Sequence, residues 1–164
     1  MAQAQLPTLG QTTLLSATTG KLDVCLLPLW QKRLLLPAVT VLDVLPATGI
    51  KSPKKAKKNG LLGQILWNSE QVPVVNFEVL CGLSAASEPQ KVAIIHSINH
   101  NEKLSHYAIA LQAEPLAVKV KIAELEDLEK ATVTAMEYLQ VRYQEAMAVI
   151  PDLDALEAKI LTLI

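Results

Sequence analysis

The chain has little of what usually marks chemistry. Its two cysteines, Cys25 and Cys81, stand far apart with no Cys-x-x-Cys spacing, so a metal knuckle or redox pair has no support and both read as buried free thiols. There are only six glycines, and no Gly-x-Ser-x-Gly, His-Glu-x-x-His or phosphate-binding glycine loop, which leaves no nucleophile elbow and no nucleotide cradle. Aromatic residues make up 4% of 164 positions, too few for a stacking platform that holds single-stranded nucleic acid; Trp30, Trp67, Tyr107, Tyr138 and Tyr143 read as packing residues. Charged residues amount to 19% with a formal net charge of -1, so no global field draws the chain to nucleic acid or to an anionic membrane. No apolar run reaches roughly 18 residues, and the stretch from Met1 to Ser16 carries neither a basic start nor the apolar core of a secretory signal. The expectation is a cytoplasmic protein with no direct membrane insertion.

Titratable groups give no catalytic pattern either. His96, His100 and His106 are the only histidines, and their spacing along the chain does not gather them with a carboxylate or thiolate as a zinc site requires, so no metal is expected. The acids of Glu124-Leu125-Glu126-Asp127 and Glu129 form a charged connecting segment, because carboxylates crowded in a solvated stretch lack an apolar pocket to split their pKa values. No catalytic residue, cofactor or enzyme is read here.

What the chain does have is apolar residues in quantity, 51% of positions, enough for a buried core. Residues 1–20 are weakly patterned and read as a flexible leader. Val24 to Trp30 is an apolar run broken by Pro28, which suggests an edge strand or a bulge there. Leu34 to Pro37 and the alternation from Val39 to Pro46 predict a mostly buried strand, and Ala47 to Asn59, with Gly49, Pro53 and five lysines, an exposed loop. The stretch from Gly60 to Gly82 reads as a hairpin. Leu61 to Trp67 and Gln71 to Asn76 are its arms, Asn68-Ser69-Glu70 its turn, and its nearly continuous apolar character suggests strands covered on both faces or a sheet closed on itself.

Phe77 to Cys81 is a short helix stopped by Gly82. Val92 to His96 and His106 to Leu111 predict a second hairpin across the polar connection Ser97 to Ser105, and Leu116 to Lys121 a strand open on one face. The segment from Ala123 to Val149 is ambiguous on propensity alone, whereas Asp152 can cap a helix from Leu153 to Leu163 with Leu153, Leu156, Ile160 and Leu163 as its apolar stripe. Many short strands with one small and one terminal helix indicate a mainly β protein, a barrel or a sandwich.

With these elements placed, the chain from Val24 to Ile164 resembles the CheW family, the coupling proteins of chemotaxis-type signalling arrays. Leu36 to Pro46 (LPAVTVLDVLP) is similar to the family's apolar-Pro segment ending Val-x-Glu-Val-Leu-Pro, with Asp43 at the acidic position. Gly63 to Pro73, followed by Val74-Val75-Asn76-Phe77, resembles its Gly-Val-Ile-Asn-Leu-Arg-Gly and Pro-Val-Ile-Asp-Leu with the Gly-to-Pro distance kept. Tyr107 to Gln112 is similar to its Gly-Leu-Val-Val-Asp strand, and Ala146 to Leu156 to its closing strand and helix. Asn68-Ser69 stands where the family has Arg-Gly, and Asn76 and Gln112 replace acids; such losses resemble divergent members serving pilus-type (twitching) chemosensory systems.

The resemblance implies two intertwined SH3-like five-stranded β-barrels within 21–164, the second roughly 83–131, with the C-terminal strands and helix returning to the first. It also turns the ambiguous segment toward strand. It implies a non-enzymatic adaptor that binds the regulatory domain of a CheA-type histidine kinase and the signalling tip of a methyl-accepting chemoreceptor. Val41, Asp43, Gly63 and Asn68 are its candidate contacts. The alternative reading is another β-barrel binding module whose lysine-rich loop, 51–58, contacts nucleic acid or an acidic protein partner.

Overall fold

The computed structural model of the chain describes residues 21–52, 60–83, 88–127, 136–144 and 146–164. The expected leader and most of the lysine-rich loop lie outside these residues. The described strands are β1 (Lys21–Pro28), β2 (Arg33–Pro37), β3 (Val41–Pro46), β4 (Leu61–Trp67), β5 (Glu70–Val75), β6 (Lys91–Asn101), β7 (Leu104–Leu111), β8 (Leu116–Lys121), β9 (Glu126–Asp127), β10 (Glu137–Tyr143) and β11 (Ala146–Pro151). Two helices join them, α1 (Phe77–Leu80) and α2 (Leu153–Leu163). One sheet runs β8-β1-β2-β11-β10 with the two-residue β9 at its edge, and the other runs β3-β6-β7-β5-β4. The architecture is mainly β, with the two interwoven SH3-like barrels that were expected. The interleaving differs from the expected 83–131 segment: the second sheet draws its strands from 41–111, and β8 belongs to the first.

Three apolar cores explain the long hydrophobic runs. Val24, Leu26, Leu35, Val120, Val141, Tyr143 and Ala148 fill one barrel, and Ile65, Val72, Val74, Val92, Ile94, Ala108 and Ala110 fill the other. Between them lies a larger shared core that includes Cys25, Leu27, Leu34, Leu36, Val75, Ala93, Ile95, Tyr107, Ile109 and Leu111, capped by Leu153, Leu156, Ile160 and Leu163 of α2. Successive side chains of a strand point to opposite faces, so β1, β2, β6 and β7 serve a barrel interior with one set and the shared core with the other.

The hairpin reading of residues 60–82 holds with sharper edges. Its turn is two residues, Asn68 and Ser69, both at positive φ (51° and 65°), the pattern of a type I′ connection that matches strand twist. α1 begins at Asn76, whose side chain accepts from the Val79 N–H, and ends with Gly82 at φ 91°, where the Gly82 and Leu83 N–H groups bond back to Val79 and Glu78. At α2, Asp152 accepts from the Ala155 N–H as its cap and the four expected stripe residues are buried.

Several expectations need correction. Pro28 does not mark an edge or a bulge: β1 lies between β8 and β2, and Pro28 is its last residue, with its carbonyl accepting from Gln112. The run from Leu34 to Pro46 is not one buried strand, because a 3-10 turn at Ala38–Thr40 carries the chain from the first sheet to the edge of the second, where β3 is largely exposed. β4 has one open face rather than cover on both, so for this strand the other alternative holds, a sheet closed on itself. The polar connection after His96 is mostly strand: β6 continues to Asn101 and turns to β7 through Glu102 and Lys103. Of the two thiols, only Cys25 is fully buried.

The β6 extension is held by a carboxylate on α2. Glu157, 2% exposed, accepts from the Ser97 hydroxyl at 2.8 Å, the Ile98 N–H at 2.8 Å, and the Asn99 N–H and side-chain amide at 3.2 and 3.0 Å. Tyr107, fully buried beside it, has its phenol pushed well above the ordinary value, first by burial and then by the charge and hydrogen bonding of Glu157. The folded chain therefore keeps this proton at pH values where the unfolded chain releases it. Stability is present below about pH 10 and falls as pH rises beyond it, by about 1.4 kcal/mol per pH unit for this one group. Urea denaturation from about pH 8 to about pH 11 should show that extra slope in the wild type and its loss in Tyr107→Phe.

Candidate functional site

The expected contact residues come from two separate sequence segments, and the fold brings both to one seam. β3 and β4 are the two ends of the second sheet, and the chain just past β3 meets β4 through the antiparallel pair Lys51–Gln64, with N···O distances of 2.7 and 2.9 Å. This pair closes the sheet into a barrel. Gly63 makes it possible: it sits at φ 145°, and a Cβ there would stand 2.0 Å from the Lys51 carbonyl oxygen.

Further along the seam, Asp43 on β3 accepts from the Trp67 indole N–H of β4 at 2.9 Å with one oxygen and from the Val44 N–H at 2.8 Å with the other. Asn68 follows Trp67 at the exposed hairpin tip, while Val41 is half-buried against the shared core. Asp43 and Asn68 are thus the solvent-facing members of the four. A one-residue bulge in each seam strand, at Leu42 and at Leu62, bends the ladder so that its ends meet.

Residues that sequence reasoning passed over complete the surface. Leu42 and Leu66, on the two seam strands, are 43% and 57% exposed. Where the chain crosses between sheets, a groove of about 460 Å³ has Ala38, Val39, Ala117 and Val118 as its apolar lining, and Asp23 and Lys119, ion-paired at 2.8 Å, line it as well. Val39 is 61% exposed and Leu116, which leads into the groove, 58%. Hydrophobicity alone could not single out Val39, Leu42 and Leu66, because the segments that hold them read as core, whereas Leu116 lies in a strand read as open on one face.

Among the described residues, no group of three or more His, Cys, Asp or Glu is arranged to hold a metal ion, and no helix is long and apolar enough to cross a membrane. No family model matches the chain, and no curated protein matches it in sequence. Among solved structures it is similar to the scaffolding protein TtCheW from Thermoanaerobacter tengcongensis, with a TM-score of 0.61 over 79% of this chain and 87% of that one, at 13% identity. The fold is a CheW-like fold. At that identity the likeness concerns architecture alone, two barrels around a shared core with a closing C-terminal helix.

Two substitutions test the seam. Gly63→Ala should cost about 2 kcal/mol or more, seen as a lower denaturant midpoint, because it combines backbone strain with a clash against Lys51. Ser69→Gly should instead stabilise by about 0.5 kcal/mol, since glycine occupies the positive-φ turn position without the penalty a side chain carries.

Proposed function

We propose that this chain is a non-enzymatic cytoplasmic adaptor that couples a CheA-type histidine kinase to methyl-accepting chemoreceptors in a chemotaxis-type signalling system. The observation that carries the reading is the CheW-like pair of barrels with an open apolar groove at their junction. Adaptors work by complementary surfaces, and exposed apolar side chains rimmed by charge are what such surfaces need.

The groove around Val39 and Leu116 suits the apolar side of a receptor's helical-hairpin tip, since it is open, lined by apolar side chains and flanked by Asp23 and Lys119. The β3–β4 seam, with Leu42, Leu66, Asp43 and Asn68 facing solvent, suits the regulatory domain of the kinase. Val41 and Gly63 support that seam from inside: one packs on the shared core and the other admits the closing strand. Asn68-Ser69 in place of the family's Arg-Gly removes a cation from the seam's tip, which fits a divergent array such as a pilus-type (twitching) system with its own kinase and receptor.

The test is calorimetric titration of the folded chain with its kinase regulatory domain and with the receptor signalling tip. Asp43→Arg should weaken kinase binding, and Val39→Glu receptor binding, each by roughly tenfold or more, with circular dichroism unchanged. Absence of measurable association with both partners would overturn the assignment.

A further inference from the structure

We infer that His96 and His106, backed by Glu70, form a two-imidazole chelate for a divalent transition-metal ion. Nothing in the adaptor reading requires it. The two histidines are directly opposite one another in the β6–β7 ladder, so their side chains leave the same face of the sheet. Their ring centroids are 5.6 Å apart with planes inclined by 53°. Two imidazoles bound to one tetrahedral ion at about 2.0–2.1 Å place their ring centres about 5 to 6 Å apart. The pair therefore already stands at a chelating separation, on a rigid antiparallel ladder rather than on loops.

A second observation concerns which nitrogen faces the ion. Glu70 on β5 sets one carboxylate oxygen 3.2 Å from His106 Nδ1, and its other oxygen accepts from the Ser105 hydroxyl at 2.9 Å. A carboxylate facing Nδ1 selects the tautomer with its proton there and leaves the Nε2 lone pair free, the arrangement that stands behind metal-binding imidazoles. On another side of His106 lies the Trp67 ring, 5.1 Å away and itself anchored to Asp43. The His106 side chain is 19% exposed and so held in place, whereas His96 is open to solvent, which gives the ion an entry path.

An imidazole donor set favours Zn²⁺, Ni²⁺ and Cu²⁺ over Mg²⁺ or Ca²⁺, which prefer oxygen ligands. With two protein ligands the remaining positions are taken by water, so the site is an open one. The ion is bound without any redox step.

The experiment is a titration of the untagged full chain with NiCl₂, following tryptophan fluorescence in a Trp30→Phe background so that Trp67 alone reports. Ni²⁺ next to the Trp67–His106 pair should quench that emission saturably, raise the melting temperature, and be displaced by Zn²⁺. His96→Ala should abolish both effects. Because His96 is exposed, that variant should melt like the parent in the presence of a chelator. Glu70→Ala should weaken binding by about tenfold. The inference fails if no saturable quenching appears up to millimolar ion, or if His96→Ala binds Ni²⁺ as the parent does.

Discussion

Most of this structure follows from strands that must serve two cores with one alternating pattern. In β7, Tyr107, Ile109 and Leu111 point into the shared core while Ala108 and Ala110 point into the second barrel. The large side chains of β7 therefore serve the shared core and its alanines the second barrel. A slip of one residue would drive tyrosine and leucine into the places of those alanines and leave cavities in the shared core. Because buried methylenes are worth about 0.8 kcal/mol each, register is strongly fixed. The same logic in β1 sends Val24 and Leu26 one way and Cys25 and Leu27 the other. Neither barrel is then a freestanding unit, since each uses the other to cover a sheet face.

Apolar packing sets register but leaves polar backbone at the barrel junction to be satisfied, and buried glutamates do this. Glu78 of α1 accepts from the Trp30 and Gln31 N–H groups, tying the second barrel's helix to the first barrel's β1–β2 turn. Glu157 does the same in reverse, reaching from the helix that follows the first sheet to the bulged end of β6. Glu137 pairs with Lys32 within the first sheet and accepts from Gln140. Glu78 and Glu157 satisfy part-buried backbone donors across the junction and so fix how the barrels meet, whereas Glu137 acts within the first barrel.

These dependencies explain which parts of the fold could be read in the sequence. α2, its Asp152 cap and its stripe were legible because helix period and capping are local. The 61–75 hairpin was legible for the same reason, and Gly82 marked the end of α1. The continuation of β6 through Ser97, Ile98 and Asn99 was not, because the carboxylate that holds it lies about 60 residues away in sequence. The exposure of β3 was hidden by its composition: a Val/Leu-rich segment reads as core unless its place at a sheet edge is known. Asp43 and Gly63 were singled out as candidate partner contacts, and the structure places each under a constraint of its own. Their constraints proved to be an indole hydrogen bond and a carbonyl approach across the barrel seam, both set by a closure that no local window contains.

The exposed apolar surface poses a problem that the fold resolves by geometry. Edge strands with unpaired backbone invite nonspecific pairing, and proteins blunt them with bulges, charge or short length. Here β8 carries Lys119 and Lys121 on its open side, β9 is two residues long, and β3 and β4 are joined to each other through Lys51–Gln64 and Asp43–Trp67 instead of remaining free. What stays exposed is side chain rather than backbone: Val39, Leu42, Leu66 and Leu116 stand out from strands and a turn whose positions the cores already fix. Such side chains lose little conformational freedom on docking, so a modest apolar patch retains more of its burial energy as affinity. A double barrel with blunted edges thus presents its apolar junction on side chains that the cores hold in place.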